Sequence, residues 1–168
     1  MSLSMHDVAV PVFDRILESL KGVLRKALAH AAASGYDDSV LLEARLFPDM
    51  WPLRQQVAAA TSFATRGVAR LAGTDVPTLP EALDTFADLE RRIEEALAFI
   101  RAVDRAAVDA SAARELTVPW GREEKTMTGL RYFQLLALPN VMFHAATAYD
   151  ILRHNGIPLE KRDFTGPF

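Results

Sequence analysis

The stretch TGLRYFQLLALPNVMFHAATAYDILRHNGIP, from Thr128 to Pro158, decides the reading of this chain. Leu130, Phe133, Ala137, Val141, His144, Ala148 and Ile151 recur at three- and four-residue steps, which gathers them on one face of a single helix against a core. His144 is the one polar member of that stripe. The stop is equally clear. Gly156 suits the left-handed position after a last turn, Ile157 can fold back onto Leu152, and Pro158 forbids continuation. Pro139 has no N–H to offer the carbonyl of Leu135, so a kink or an irregular turn is predicted there.

Upstream, three more stripes of the same period are present. Val8, Val12, Ile16, Leu20, Val23, Ala27 and Ala31 form the first, within Asp7 to Ala33, widened by Phe13, Leu17, Leu24 and Leu28. Pro11 belongs in a first turn, which places the start near Val10 or makes the leading segment a separate turn. Tyr36 to Met50 has no clear period and is left unassigned. The second stripe, Leu53, Val57, Ala60, Ala64, Val68 and Leu71, follows Asp49 as a plausible cap and ends at Gly73. The third, Phe86, Leu89, Ile93, Leu97, Ile100 and Val103, is announced by the pattern Thr78-Leu79-Pro80-Glu81, read as a capping box. The charge run that includes Asp88, Arg91, Arg92 and Glu94 reads as its solvated face. From Asp104 to Lys125 the helical period is lost. Leu116, Val118 and Trp120 alternate, so a short strand turning back at Gly121 toward Lys125-Thr126-Met127 is predicted, held to an edge by Pro119.

Four amphipathic helices in 168 residues bury their stripes most simply as one all-α domain, residues 1–168, a four-helix bundle with a small β-hairpin before the last helix. Half of the residues are apolar, which argues against disorder. No cysteine is present, so disulfides, thiol nucleophiles and thiolate metal sites are excluded, in keeping with a reducing cytoplasm. The charges, 22 acidic against 19 basic, form no basic block, so nucleic acid is not an expected partner. No uninterrupted apolar run reaches about eighteen residues and no basic leader precedes one, so neither a membrane span nor export is expected.

Candidate chemistry centres on His144. A ring placed among Val141, Ala145 and Ala148 needs a hydrogen-bond partner inside the bundle, and Gln56, beside the second stripe, is the candidate. The first reading of these residues is a satisfied core histidine with a rim glutamine, and a ligand or proton-transfer role is the alternative. Tyr149 and Arg153, one turn apart, offer a phenol and a guanidinium to an anion, or simply stack at the bundle edge. His6, His30 and His154 are far apart in sequence, and no Ser-x-Gly elbow or glycine-rich phosphate loop occurs. Trp51 and Trp120 are packing anchors or ligand platforms.

The segments RLFPDMWPLRQ (Arg45 to Gln55), LPNVMFH (Leu138 to His144), YDILRHNGIP (Tyr149 to Pro158) and KRDF (Lys161 to Phe164) together resemble an uncharacterised bacterial branch of the DinB/YfiT-like superfamily, and the resemblance extends over essentially the whole chain. It implies a bundle of up-down-down-up topology. It also implies a superfamily in which many members hold a divalent metal with three histidines, one from the second helix and an HxxxH pair on the last, and in which some are thiol-dependent transferases or isomerases. Here His144 matches the first histidine of the pair, Ala148 stands at the second, and the second helix from Trp51 to Ala72 has none. His144 is thus the only metal candidate, and no metal or other cofactor is expected.

The expectation is therefore a cytoplasmic DinB-like bundle that binds a small molecule near His144, with Gln56, Tyr149 and Arg153 as further ligand-binding candidates. A metal- or thiol-dependent transferase or isomerase and a structural dimerisation module are the alternatives. A homodimer is expected from the superfamily resemblance and from apolar surface at Phe13, Leu17 and the aromatic tail, Phe164 and Phe168.

Overall fold

The structure, a computed structural model, describes residues 4–166. Four long helices carry it: α1 (Met5–Ser34), α3 (Leu53–Ala72), α4 (Phe86–Ala102) and α7 (Leu138–His154), the last continuous with α6 (Gly129–Tyr132) through a π-helical turn, Phe133–Ala137. Two short helices, α2 (Asp38–Leu42) and α5 (Arg105–Asp109), lie in the connections, and α8 (Lys161–Thr165) closes the described chain. Strands β1 (Glu115–Trp120) and β2 (Glu123–Thr128) pair antiparallel from Glu115 opposite Thr128 to Trp120 opposite Glu123, the predicted hairpin, turning at Gly121 with φ 66°.

The side chains that tie the helices together give their directions. Arg101 binds Asp14 and Glu18, while Arg25 binds Glu90, so α1 and α4 are antiparallel. Gln56 meets His144, and a Cβ on Gly67 would touch that of Ala137, so α3 and α7 are antiparallel. Arg54 pairs with Asp84, and Arg92 with Thr61, so α3 and α4 run parallel. The bundle is therefore up-down-down-up, and the connection from Gly73 to Thr85 is long because it must carry the chain back along the bundle.

Several boundaries differ from those predicted. α1 begins at Met5, capped by Ser4, with Pro11 inside the helix. Its leading turn is held by burial of Met5 and Ala9 and by Asp109 of α5, which accepts from the His6 backbone N–H at 2.8 Å. α3 is preceded by Pro52 without a side-chain cap, and Asp49 lies in the loop before it. The capping box of α4 is Thr85 with Asp88, not Thr78 with Glu81. Pro80 disfavours helix at Leu79, which instead buries its side chain, while the Pro80 carbonyl accepts from Arg92. Arg92 is buried rather than part of the solvated face.

In the last helix, the irregular turn expected at Pro139 is the π-turn just before it. Leu138 N–H reaches back to Phe133 O, and the Asn140 side chain donates to the Leu136 carbonyl at 2.7 Å. A π-turn takes up one extra residue, so the buried face slips by one position across it. Leu130, expected on the stripe, is 39% exposed, and Gly129 is buried in its place. Gly129 is required there, because a Cβ would collide with the Ser111 carbonyl. By length and composition alone Gly129–His154 is apolar enough to cross a bilayer, but its apolar stripe packs against α1 and α3 as a bundle-core helix.

Phe13 and Leu17, expected to offer a face to a second copy, are both 0% exposed within the bundle, because the phase of α1 turns them to the core. Phe164 packs on Tyr149 at 5.8 Å between centroids, within one chain. Phe168 lies outside the described residues.

Candidate ligand cleft at His144

Gln56 sits near the start of α3 and His144 midway along α7, and the antiparallel pairing of these helices brings them together. The contact is 2.8 Å between Gln56 Oε1 and His144 Nδ1, with the residues 2% and 7% exposed. The other end of the Gln56 amide fixes its orientation, since Nε2 donates to the Trp51 carbonyl at 3.0 Å. Oε1 must then accept, so His144 carries its proton on Nδ1. Nε2 is left with a lone pair. It makes no hydrogen bond within the described residues, yet it is not sealed from solvent.

His144 lines a cleft of about 300 Å³ together with Asp49, Met50, Trp51, Gln56 and Phe143. The imidazole lies nearly parallel to Trp51 and to Phe63, at 5.7 and 5.5 Å between centroids and 13° in each case, and Phe143 meets it edge-on at 5.2 Å. Trp51 comes from the loop before α3. Arg45 holds that loop by donating to Met50 O at 2.6 Å, and Leu53 N–H closes it onto Ala44 O. Burial among these rings lowers the His144 pKa below the ordinary imidazole value, so at neutral pH the ring is uncharged. Chemically, the cleft offers a flat aromatic surface and one fixed acceptor that can also take a proton.

The four ligand-binding candidates thus separate into two pairs. Gln56 and His144 form one polar contact. Tyr149 lies apart, packed edge-on against Phe164 of the closing helix, and Arg153 is exposed near the end of α7 without a bond to it among the described residues. Phe63 was missed from sequence, because it flanks the α3 stripe and only the helix crossing brings it over the imidazole. Asp49, taken as a cap, lines the cleft.

The metal implied by the superfamily resemblance can be tested against these residues. Ala148, where a second histidine would stand, is 0% exposed in the packed interior, and the α3 residue facing His144 is an amide that already engages its Nδ1. Among the described residues no group of three His, Asp or Glu side chains is placed to hold a metal. The residues do not fit such a centre.

The profile of a domain family of unknown function, DUF1993, matches residues 5–165. The chain belongs to the DUF1993 family. A crystal structure of a DinB family member protein from Shewanella denitrificans is similar at 36% identity, covering 97% of this chain and 92% of that one, with a TM-score of 0.89. This DUF1993 chain is therefore DinB-like along nearly its whole length. No curated protein matches it.

Proposed function

We propose that this DUF1993 bundle binds a small molecule in the His144 cleft, with a flat apolar part of the ligand against Trp51 and a hydrogen-bond donor of the ligand on His144 Nε2. The observation that carries the reading is the Gln56 amide, held by the Trp51 carbonyl so that it presents its oxygen to Nδ1 and turns the imidazole lone pair toward the opening. A histidine kept only for packing has no need of a solvent-reached, fixed acceptor among exposed aromatic rings. Nitrogen-15 NMR of the imidazole is the direct test. A neutral ring protonated on Nδ1, whose Nε2 resonance moves when native ligand is restored to stripped protein, supports the proposal. A ring protonated on Nε2, or native mass spectra with no small molecule lost on His144→Phe, removes it.

A second reading, a homodimer, is favoured by one observation. Leu135, Met142 and Phe143 are exposed along one side of the last helix, beyond what the bundle covers. Sedimentation then gives twice the 18.6 kDa chain mass, and a monomer at high concentration refutes it.

A further inference from the structure

Sharing Trp51 with the His144 cleft is a second one of about 320 Å³, whose lining includes Gln55, Ser62, Phe63 and Arg66. Trp51 belongs to both clefts, and Phe63, whose ring stacks on His144, belongs to this one. Two cations stand at it. Arg66 is exposed, with its guanidinium 5.7 Å from the Phe63 ring centroid, and no carboxylate pairs with it among the described residues. Arg92 is buried behind the cleft and bonds only neutral oxygens: Thr61 Oγ1 at 2.9 Å, Ser62 Oγ at 2.8 Å, Ala58 O at 3.4 Å and Pro80 O. The exposed Glu81 acts on Arg92 through space without bonding it.

A buried guanidinium with no anion bonded to it is costly, and it leaves positive potential on whatever it touches. What it touches at the cleft is Ser62. Because the Ser62 oxygen accepts from Arg92, the hydroxyl hydrogen must point elsewhere, and it makes no bond within the described residues. A hydroxyl polarised in this way is a strengthened donor. The cleft therefore combines a free donor, a guanidinium without a carboxylate partner at its rim and a second guanidinium, bonded only to neutral oxygens, behind it.

We infer that the Ser62 and Arg66 cleft is an anion subsite that takes the carboxylate of the ligand whose apolar body lies on Trp51. This rests on the reading of the His144 cleft and names its ligand class: a small aryl or alkyl carboxylate. The acid end accepts from Ser62 Oγ and from Arg66, and the apolar body spans Trp51 toward His144.

The test compares 6-hydroxy-2-naphthoate, whose phenol supplies the donor for His144 Nε2, with the neutral 6-hydroxy-2-naphthamide by isothermal titration calorimetry at low salt, on the full chain and on Ser62→Ala, Arg66→Met and His144→Phe, with thermal melts to confirm folding. Methionine keeps the packing on Phe63 while removing the charge. The naphthoate binds about tenfold more tightly than the amide, as one charge-assisted contact provides. Arg66→Met and Ser62→Ala each reduce that preference by weakening the naphthoate more than the amide, and salt narrows it. His144→Phe weakens both compounds. Equal affinity for the two, or a preference that survives both Ser62→Ala and Arg66→Met, overturns the anion subsite and leaves the His144 reading standing. A preference lost with Arg66 but indifferent to His144→Phe upholds the subsite and sinks the His144 reading. Failure of both compounds to bind the unaltered chain removes both.

Discussion

Exchanging His144 for phenylalanine isolates the contact on which the cleft is built. Phenylalanine keeps a flat ring between Trp51 and Phe63, so little packing is lost. What is lost is the donor to Gln56 Oε1, an atom on a residue only 2% exposed, whose amide cannot turn over without abandoning the Trp51 carbonyl. A buried acceptor left unpaired costs about 1–3 kcal/mol. At this chain length that corresponds to roughly 2–4 °C of melting temperature per kcal/mol. Gln56→Leu alone strands the Nδ1 proton instead, with a cost of the same order, about 1–3 kcal/mol. The double substitution removes donor and acceptor together, so its cost falls short of the sum by a coupling energy of about 0.5–3 kcal/mol. Urea unfolding of the four proteins, with equal denaturant slopes as the check on two-state behaviour, measures the cycle. Strict additivity, or a His144→Phe protein as stable as the parent, would refute the argument that this bond fixes the tautomer.

Three further outcomes follow from the same structure. Gly129→Ala forces a Cβ into the Ser111 carbonyl and is expected to cost at least about 2 kcal/mol, whereas Gly22→Ala, in open helix, is expected to stabilise by up to about 1 kcal/mol; thermal melts of the pair compare them. Because the folded His144 pKa lies below the ordinary value of 6.5, the unfolded chain binds that proton first, so stability from this group is complete above about pH 6.5 and declines as pH falls toward the folded value; the decline should be absent in His144→Phe. Arg92→Met leaves the carbonyl of Pro80 without its donor and is expected to speed hydrogen exchange and proteolysis in residues 73–85 while the bundle helices remain protected.

The sequence made the bundle legible because its four stripes keep the α-helical period, and it made the Gln56 to His144 contact legible because a buried ring nitrogen needs a partner from a facing stripe. It failed where period ceases to report the environment. Leu130 was assigned to the core on a count that holds only if no residue is inserted, and the π-turn inserts one. Arg92 has the same spacing as the solvated charges around it; only the path of residues 73–85 across the bundle, with Pro80 as acceptor, explains its burial. Thr78 and Thr85 both precede a Glu or Asp by three residues. Nothing local distinguishes them except Pro80, which keeps Leu79 out of the helix. Phe63 shows the limit for the site itself, since its partner is eighty-one positions away and fixed by a helix crossing.

The packing also explains why an imidazole can be kept here without the other two of a metal triad. Along the crossing of α3 and the last helix there is little slack: a Cβ on Gly67 would come within 3.1 Å of Phe13 and 3.2 Å of Ala137, and at the far side of His144 the Ala148 position is fully enclosed. A second imidazole at Ala148 would have to displace core, which costs stability rather than supplying a ligand. His144 sits between this closed interior and the open loop carrying Trp51, so only one of its nitrogens faces inward. That nitrogen is satisfied by an amide, which leaves the ring neutral and its outer nitrogen a hydrogen-bond acceptor. A neutral imidazole with its outer nitrogen an acceptor beside aromatic rings supports the proposed recognition of a ligand through Nε2, with the ligand's charge met at the proposed Ser62 and Arg66 subsite.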